Sequence, residues 1–152
     1  MEGPKQIHPK ALNDYLEVMS KAVFQTGISW AVVEAKWNGF QQAFSGFDPK
    51  TVADLTPPEI DRLTQDTRIV RNRKKIEATV HNAETILELD RRHGGFKTYL
   101  RSHERFEDLV ADLRKRFKFL GDTGAYYFLY VVGEPVPPHE EWMASHQPRR
   151  RR

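Results

Sequence analysis

The chain is 152 residues long, 39% apolar and 30% charged, with no cysteine. That length suits one domain with a buried core, and the absence of cysteine excludes disulfides and thiolate-bound metals. The formal net charge is +3, but removing the four arginines at 149–152 leaves −1, so any attraction to nucleic acid must come from local clusters rather than a global field.

No apolar run approaches the roughly 18 residues of a membrane-spanning helix. The opening MEGPKQIHPK has no apolar stretch after its charges and does not read as a secretory signal. A cytoplasmic, nucleoid-associated monomer is the expectation. The organisation expected is a flexible N-terminus over 1–9, one helical domain over 10–142, and a basic, disordered tail over 143–152.

In chain order, nearly every segment reads as helix. From Lys10 to Phe24, Leu12, Tyr15, Leu16, Met19 and Val23 recur at three- and four-residue spacing and make one apolar stripe. A break follows at Thr26-Gly27, and Ser29 suits an N-cap, since its hydroxyl can accept from free first-turn amides. Trp30, Val33, Trp37, Phe40 and Phe44 form the next apolar face. Asp48-Pro49 is a cap with proline at the first helical position, where its missing amide costs nothing, and Thr56-Pro57-Pro58-Glu59 has capping-box spacing. A long helix is expected from about Asn72 to Arg92, with Ile76, Val80, Ala83 and Leu87 inward and Gly94-Gly95 as its stop. Another carries Phe106, Leu109, Val110 and Leu113. The last, Tyr126 to Tyr130, has no polar break and should be largely buried, and Pro135, Pro137 and Pro138 prevent its continuation. No strand alternation and no repeat is present. The fold class expected is all-α, a compact bundle of short, non-parallel helices.

Two local features carry possible chemistry. In Phe117-Lys118-Phe119-Leu120-Gly121-Asp122-Thr123-Gly124-Ala125, a basic helix end meets a turn with two glycines before an apolar helix. Glycines permit positive φ and close approach, and the amides opening the second helix suit a phosphate. This is how a helix-hairpin-helix element grips a DNA backbone without reading sequence; the alternative is an ordinary helix-helix turn. In Phe24-Gln25-Thr26-Gly27-Ile28-Ser29-Trp30, an aromatic beside a glycine bend bearing an apolar residue fits a base pocket with a wedge; the alternative places Trp30 in the core. Arg68, Arg71, Arg73, Lys74 and Lys75 form one basic cluster and Arg114, Lys115, Arg116 and Lys118 another, each equally readable as a solvated helix end.

The order and spacing of Gly27-Ile28-Ser29-Trp30, Phe47-Asp48-Pro49, Ile69-Val70-Arg71-Asn72-Arg73-Lys74-Lys75-Ile76 and FKFLGDTGAYYF resemble the 3-methyladenine DNA glycosylase I (Tag) family over roughly residues 12–139. That family has Gly-Leu-Ser-Trp, Phe-Asp-Pro, Ile-Ile-Arg-x-Arg-x-Lys-Ile and a Phe-Lys-Phe-Val-Gly-Thr-Thr hairpin in that order. The resemblance implies a monofunctional DNA N-glycosylase of base excision repair acting on double-stranded DNA with a damaged, alkylated and cationic base. It implies that Trp30 stacks on the extruded base, with Gln25 and Ala22 in the pocket. Gly27 and Ile28 become the wedge. Lys118, Gly121, Asp122, Thr123 and Gly124 fall in the phosphate-gripping hairpin, with Arg71, Arg73 and Lys75 as further backbone contacts.

Three departures bear on chemistry. The family's base-recognising glutamate, eight residues before the tryptophan, is Ala22 here. The family's structural zinc has no cysteine ligands in this chain and only His139 near a ligand position, so no metal and no cofactor are expected. The family's N-terminal aromatics that close over the base have no counterpart here. Substitute carboxylates are sought in Glu140 and Glu141, after the Pro-rich link, as catalytic candidates, and in Glu17, a little before Ala22, for the pocket; the favoured alternative for each is a solvated glutamate. Ala125 stands near where bifunctional enzymes carry a lysine nucleophile, so no lyase step is expected. The alternative function is a catalytically silent helix-hairpin-helix DNA-binding protein.

Overall fold

The computed structural model describes residues 5–145, and the arginine run at 149–152 lies outside the described residues. Those residues form ten α-helices and no strand: α1 (Leu12–Gln25), α2 (Trp30–Ala35), α3 (Trp37–Ala43), α4 (Pro49–Ala53), α5 (Pro57–Leu63), α6 (Arg73–His93), α7 (Phe96–Leu100), α8 (Phe106–Arg116), α9 (Asp122–Val131) and α10 (His139–Ser145). A single 3-10 turn covers Ser45–Phe47.

The apolar stripes set the packing. α1 buries Tyr15, Leu16, Met19 and Val23. The stripe expected to run unbroken from Trp30 to Phe44 breaks at Lys36, whose φ of −98° and ψ of 2° leave the helical region. α3 then turns inward, with the Trp37 ring stacked 5.4 Å from Phe47 and Phe40 4.6 Å from Phe24. α2 keeps only Val33 buried. Of the caps the sequence implies, Ser29 stands at the N-cap of α2 but makes no side-chain cap hydrogen bond, whereas the other two form. Asp48 Oδ2 accepts from the Thr51 amide at 3.1 Å, Thr56 and Glu59 make a reciprocal box, and Asn72 Oδ1 accepts from the Lys75 amide.

α6 is the central element, packed on α1, α4, α5 and α7, while α9 packs on α1 and α8. Its inward stripe holds Ile76, Val80 and Ala83 but continues through Ile86 and Leu89, leaving Leu87 half-buried. Gly94, at φ 69°, ends it in the left-handed conformation.

Two helices are absent from the sequence reading, α7 and α10. The prolines that stop α9 also suit the entry to a new helix, and α10 is fastened by Trp142, stacked 5.6 Å from Tyr126 and edge-on to Phe106 at 5.1 Å. Ordered helix therefore runs past the expected boundary at 142 to Ser145. At the other end, the Ile7 amide donates to Val131 O at 2.7 Å and Gln6 Nε2 donates to Tyr130 O, so the segment before residue 10 is attached to α9.

Candidate functional site

α8 and α9 form the hairpin. Its geometry differs from the glycine turn that the sequence suggests. Gly121 lies at φ −88°, ψ −170°, an extended conformation open to any residue, and the positive φ falls on Phe119, at 59°. A Cβ on Gly121 would meet nothing within 4 Å, so its face is open. Gly124 is inside α9. A Cβ there would lie 3.2 Å from Leu120 Cδ1 and 3.8 Å from the Ala22 Cβ, so Gly124 serves the crossing of α9 on α1 rather than an anion. Phe119 is 42% exposed, and a bulky residue held in a left-handed conformation beside a cleft marks stored strain of the kind found at functional sites.

α6 fixes the hairpin's main chain. Asn82, buried on α6, accepts from the Lys118 amide at 2.9 Å and donates to Lys118 O at 3.1 Å. His81 Nε2 lies 3.1 Å from Arg116 O. Seven residues before Asn82 on the same helix, Lys75 is buried, and its ammonium donates to Phe24 O at 3.2 Å and to Thr26 O. Burial pushes this ammonium below the ordinary lysine value. Lys75 is thus not a surface phosphate contact; it closes the carbonyl end of α1 just before the bend. Gly27 turns that bend at φ 73°, a conformation that only glycine adopts readily.

Bend and hairpin face one open cleft of about 950 Å³. α1 contributes Ala22, Gln25 and the following Thr26; α8 and the turn contribute Arg114, Phe117 and residues 119–124; Tyr127 and Ser145 complete the wall. Gln25 has its Nε2 sealed from solvent without a hydrogen-bond partner, a state that costs about 1–3 kcal/mol.

The structure brings together Ala22, Gln25, Gly121, Asp122, Thr123 and Gly124. Trp30 is not a core residue: it is 60% exposed at the start of α2, four residues beyond Thr26 and outside the cleft lining. Ile28 is half-buried against the core, so the exposed large apolar side chains near the bend and hairpin are Trp30, Val32 and Phe119. Lys118, Thr123 and Arg71 are exposed. Arg73 is exposed too, but its guanidinium is engaged with Asp61 and, at 3.7 Å, with Glu77. Glu17 is turned away from the cleft: Oε2 accepts from Trp37 Nε1 at 2.8 Å and Gln41 Nε2 at 2.7 Å, bracing α3 against α1. Glu140 and Glu141 are exposed on the first turn of α10 and do not line the cleft. Asp122 does, and its carboxylate makes it an ion partner of Arg114 at 3.0 Å rather than a phosphate ligand. No group of three or more His, Cys, Asp or Glu side chains among the described residues is placed to hold a metal ion.

Asn82 and Phe119 were missed by sequence reasoning. Asn82 carried a signal, a polar residue on the apolar stripe of α6. Phe119 carried none, since its strain exists only once the turn is closed.

The same elements recur in known proteins. The family model for methyladenine glycosylase matches residues 9–116, which include the bend and α6 but stop short of the turn between α8 and α9. A DNA-3-methyladenine glycosylase of Haemophilus influenzae is 31% identical over 130 residues, covering 72% of this chain and 70% of that protein. DNA-3-methyladenine glycosylase 1 of Escherichia coli is 30% identical over the same share. Among solved structures, a 3-methyladenine DNA glycosylase I variant in complex with 3-methyladenine superposes with a TM-score of 0.73 at 28% identity, over 85% of this chain and 81% of that one. The Staphylococcus aureus enzyme, described for its recognition of 3-methyladenine, superposes equally well, also at 28% identity, over 85% of this chain and 80% of its own. These superpositions reach beyond residue 116 and so take in part of the chain that the family model leaves unmatched. Motif order, helical architecture and sequence all agree, and the chain belongs to the methyladenine glycosylase family.

Proposed function

We propose that this chain is a monofunctional DNA N-glycosylase of base excision repair, which swings an alkylated, 3-methyladenine-like base out of duplex DNA and hydrolyses its N-glycosyl bond. One observation carries the reading: the end of α1 and the hairpin, far apart in sequence, face each other across a single open cleft. The relatives' names and the complex with 3-methyladenine support the substrate class.

The chemistry asks little of the protein. Alkylation at a ring nitrogen gives the purine a positive charge, so the glycosidic electron pair leaves readily onto the base while water adds at the sugar carbon. Lys118 and the amides opening α9 suit a backbone phosphate, and the exposed Trp30 face suits stacking on the extruded base. Ala125 is fully buried and offers no amine, in keeping with hydrolysis without a lyase step. No described helix is long and apolar enough to cross a membrane.

Ala22 favours a second reading, a silent DNA binder, because a methyl group stands where the resemblance puts an acid. Incubation with alkylated duplex DNA separates the two. Release of free 3-methyladenine or 7-methylguanine is expected; intact DNA with binding preserved would establish the silent binder instead.

A further inference from the structure

We propose that Asp122 is the acidic group that meets the positive charge of the extruded base, a specificity-determining role that rests on the glycosylase reading above. Among the described residues that line the cleft, Asp122 is the only one with a carboxylate. The other acids considered for this part of the chain are spent elsewhere: Glu17 is held by Trp37 and Gln41, and Glu140 and Glu141 lie outside the lining. Asp122 sits in the first turn of α9, beside the turn that faces the cleft. Its Oδ1 accepts from Arg114 at 3.0 Å, which fixes the carboxylate's direction, while Oδ2 takes no hydrogen bond from the described residues and the side chain keeps 35% of its exposure.

Two residues further along α9, Gly124 packs between Leu120 and Ala22 of α1. A planar base entering the cleft meets the second oxygen of a carboxylate whose first oxygen is held by Arg114. A cationic alkylated purine is attracted to that charge, whereas a neutral, undamaged base loses water without compensation.

Asp122 also works against the hairpin. A carboxylate among amides suited to phosphate repels the DNA backbone, so the residue weakens the grip that surrounds it. This conflict yields a test in which two quantities move in opposite directions. The probes are a duplex carrying 7-methylguanine, read by single-turnover base release, and a duplex carrying a tetrahydrofuran abasic analogue, read by binding. Asp122→Asn is expected to slow base release by about tenfold to a hundredfold while tightening abasic-duplex binding by about two- to fivefold. Asp122→Ser, which retains an acceptor compatible with a helix start, should behave the same way should the asparagine variant fold poorly. Asp122→Glu should recover part of the rate.

Release at the wild-type rate in folded Asp122→Asn overturns the proposal. So does a parallel fall of release, binding and melting temperature in both variants, which would mark a merely structural residue. A wild-type chain that releases neither 7-methylguanine nor 3-methyladenine from alkylated duplex overturns the glycosylase reading and this proposal with it, an outcome distinct from equal release by wild type and variant.

Discussion

At the scale of single residues, exposure separates side chains of the same type into different roles. Of the three tryptophans in the sequence, Trp37 and Trp142 are 8% and 3% exposed, whereas Trp30 is 60% exposed. Acrylamide should therefore quench one component of the intrinsic fluorescence, and Trp30→Phe should abolish that component with a change in stability within about 0.5 kcal/mol, as expected for an exposed position. A quenchable component that survives the substitution would place the accessible indole elsewhere. The cations divide similarly. Lys118 is exposed on the hairpin, while Arg73 already has two carboxylate neighbours and Lys75 is buried against carbonyls. Lys118→Ala should weaken binding to all duplex sequences alike and reduce the salt dependence of log K by about one. Arg73→Ala should leave that slope nearly unchanged, and equal slopes for Lys118→Ala and wild type would remove Lys118 from the phosphate grip.

At the scale of elements, α6 holds bend and hairpin in register. Lys75 and Asn82 are seven residues apart, close to two turns, so they project from one face of the helix about 10 Å apart. One secures the carbonyls that end α1 and the other secures both main-chain groups of Lys118. Asn82→Ala leaves a part-buried amide and carbonyl unpaired and should cost about 1–3 kcal/mol, read as a fall in the thermal midpoint. The cost should come with slower base release, because Phe119 follows directly on the residue that Asn82 holds. A midpoint within a degree of wild type would show that the hairpin closes without this brace. Most of the helices were legible in the sequence because stripes and caps are local: Leu12 to Val23, Asp48-Pro49 and the Thr56–Glu59 box all need only neighbours in the chain. What was not legible is direction. Nothing in the spacing tells that the Lys75 ammonium points inward while Lys74 beside it stays exposed, or that Glu17 braces Trp37 instead of facing the cleft. The hairpin was found from its glycines, yet Gly121 is extended and Gly124 is a packing residue, so a correct location rested on a mistaken conformational reason.

At the scale of the whole molecule, charge bears on both the proposed partner and the pH range. Without the terminal arginines the chain carries −1, so the proposed grip on DNA needs local cations such as Lys118 and not a field. α8, which leads into the hairpin, is joined to α7 by a polar knot. Asp112 accepts from Tyr99 Oη at 2.7 Å, His103 Nε2 lies 2.9 Å from it, and Arg116 Nε donates to it at 2.8 Å, joining α7 to α8. Burial alone would raise the Asp112 carboxyl, but the hydrogen bonds from His103, Tyr99 and Arg116 outweigh it and hold it below the usual carboxylate range. The same burial, together with the bond to Asp112, drives the Tyr99 hydroxyl far above its ordinary value, so it stays protonated and keeps donating. A depressed carboxyl takes up protons more readily in the unfolded chain, so its stabilisation is complete above the unfolded value of about 3.9 and is lost as pH falls through the lower folded value. Asp48 and Asp66, held down chiefly by hydrogen bonds from Thr51 and Arg68, act in the same direction. Thermal melts should therefore be level from neutral pH to about pH 5 and drop below about pH 4. Asp112→Asn should melt lower than wild type at pH 7 and lose less on acidification, so that the two curves converge near pH 3. Curves that stay parallel throughout would mean that Asp112 holds the same proton affinity folded and unfolded, and that the link between α7 and α8 is not electrostatic.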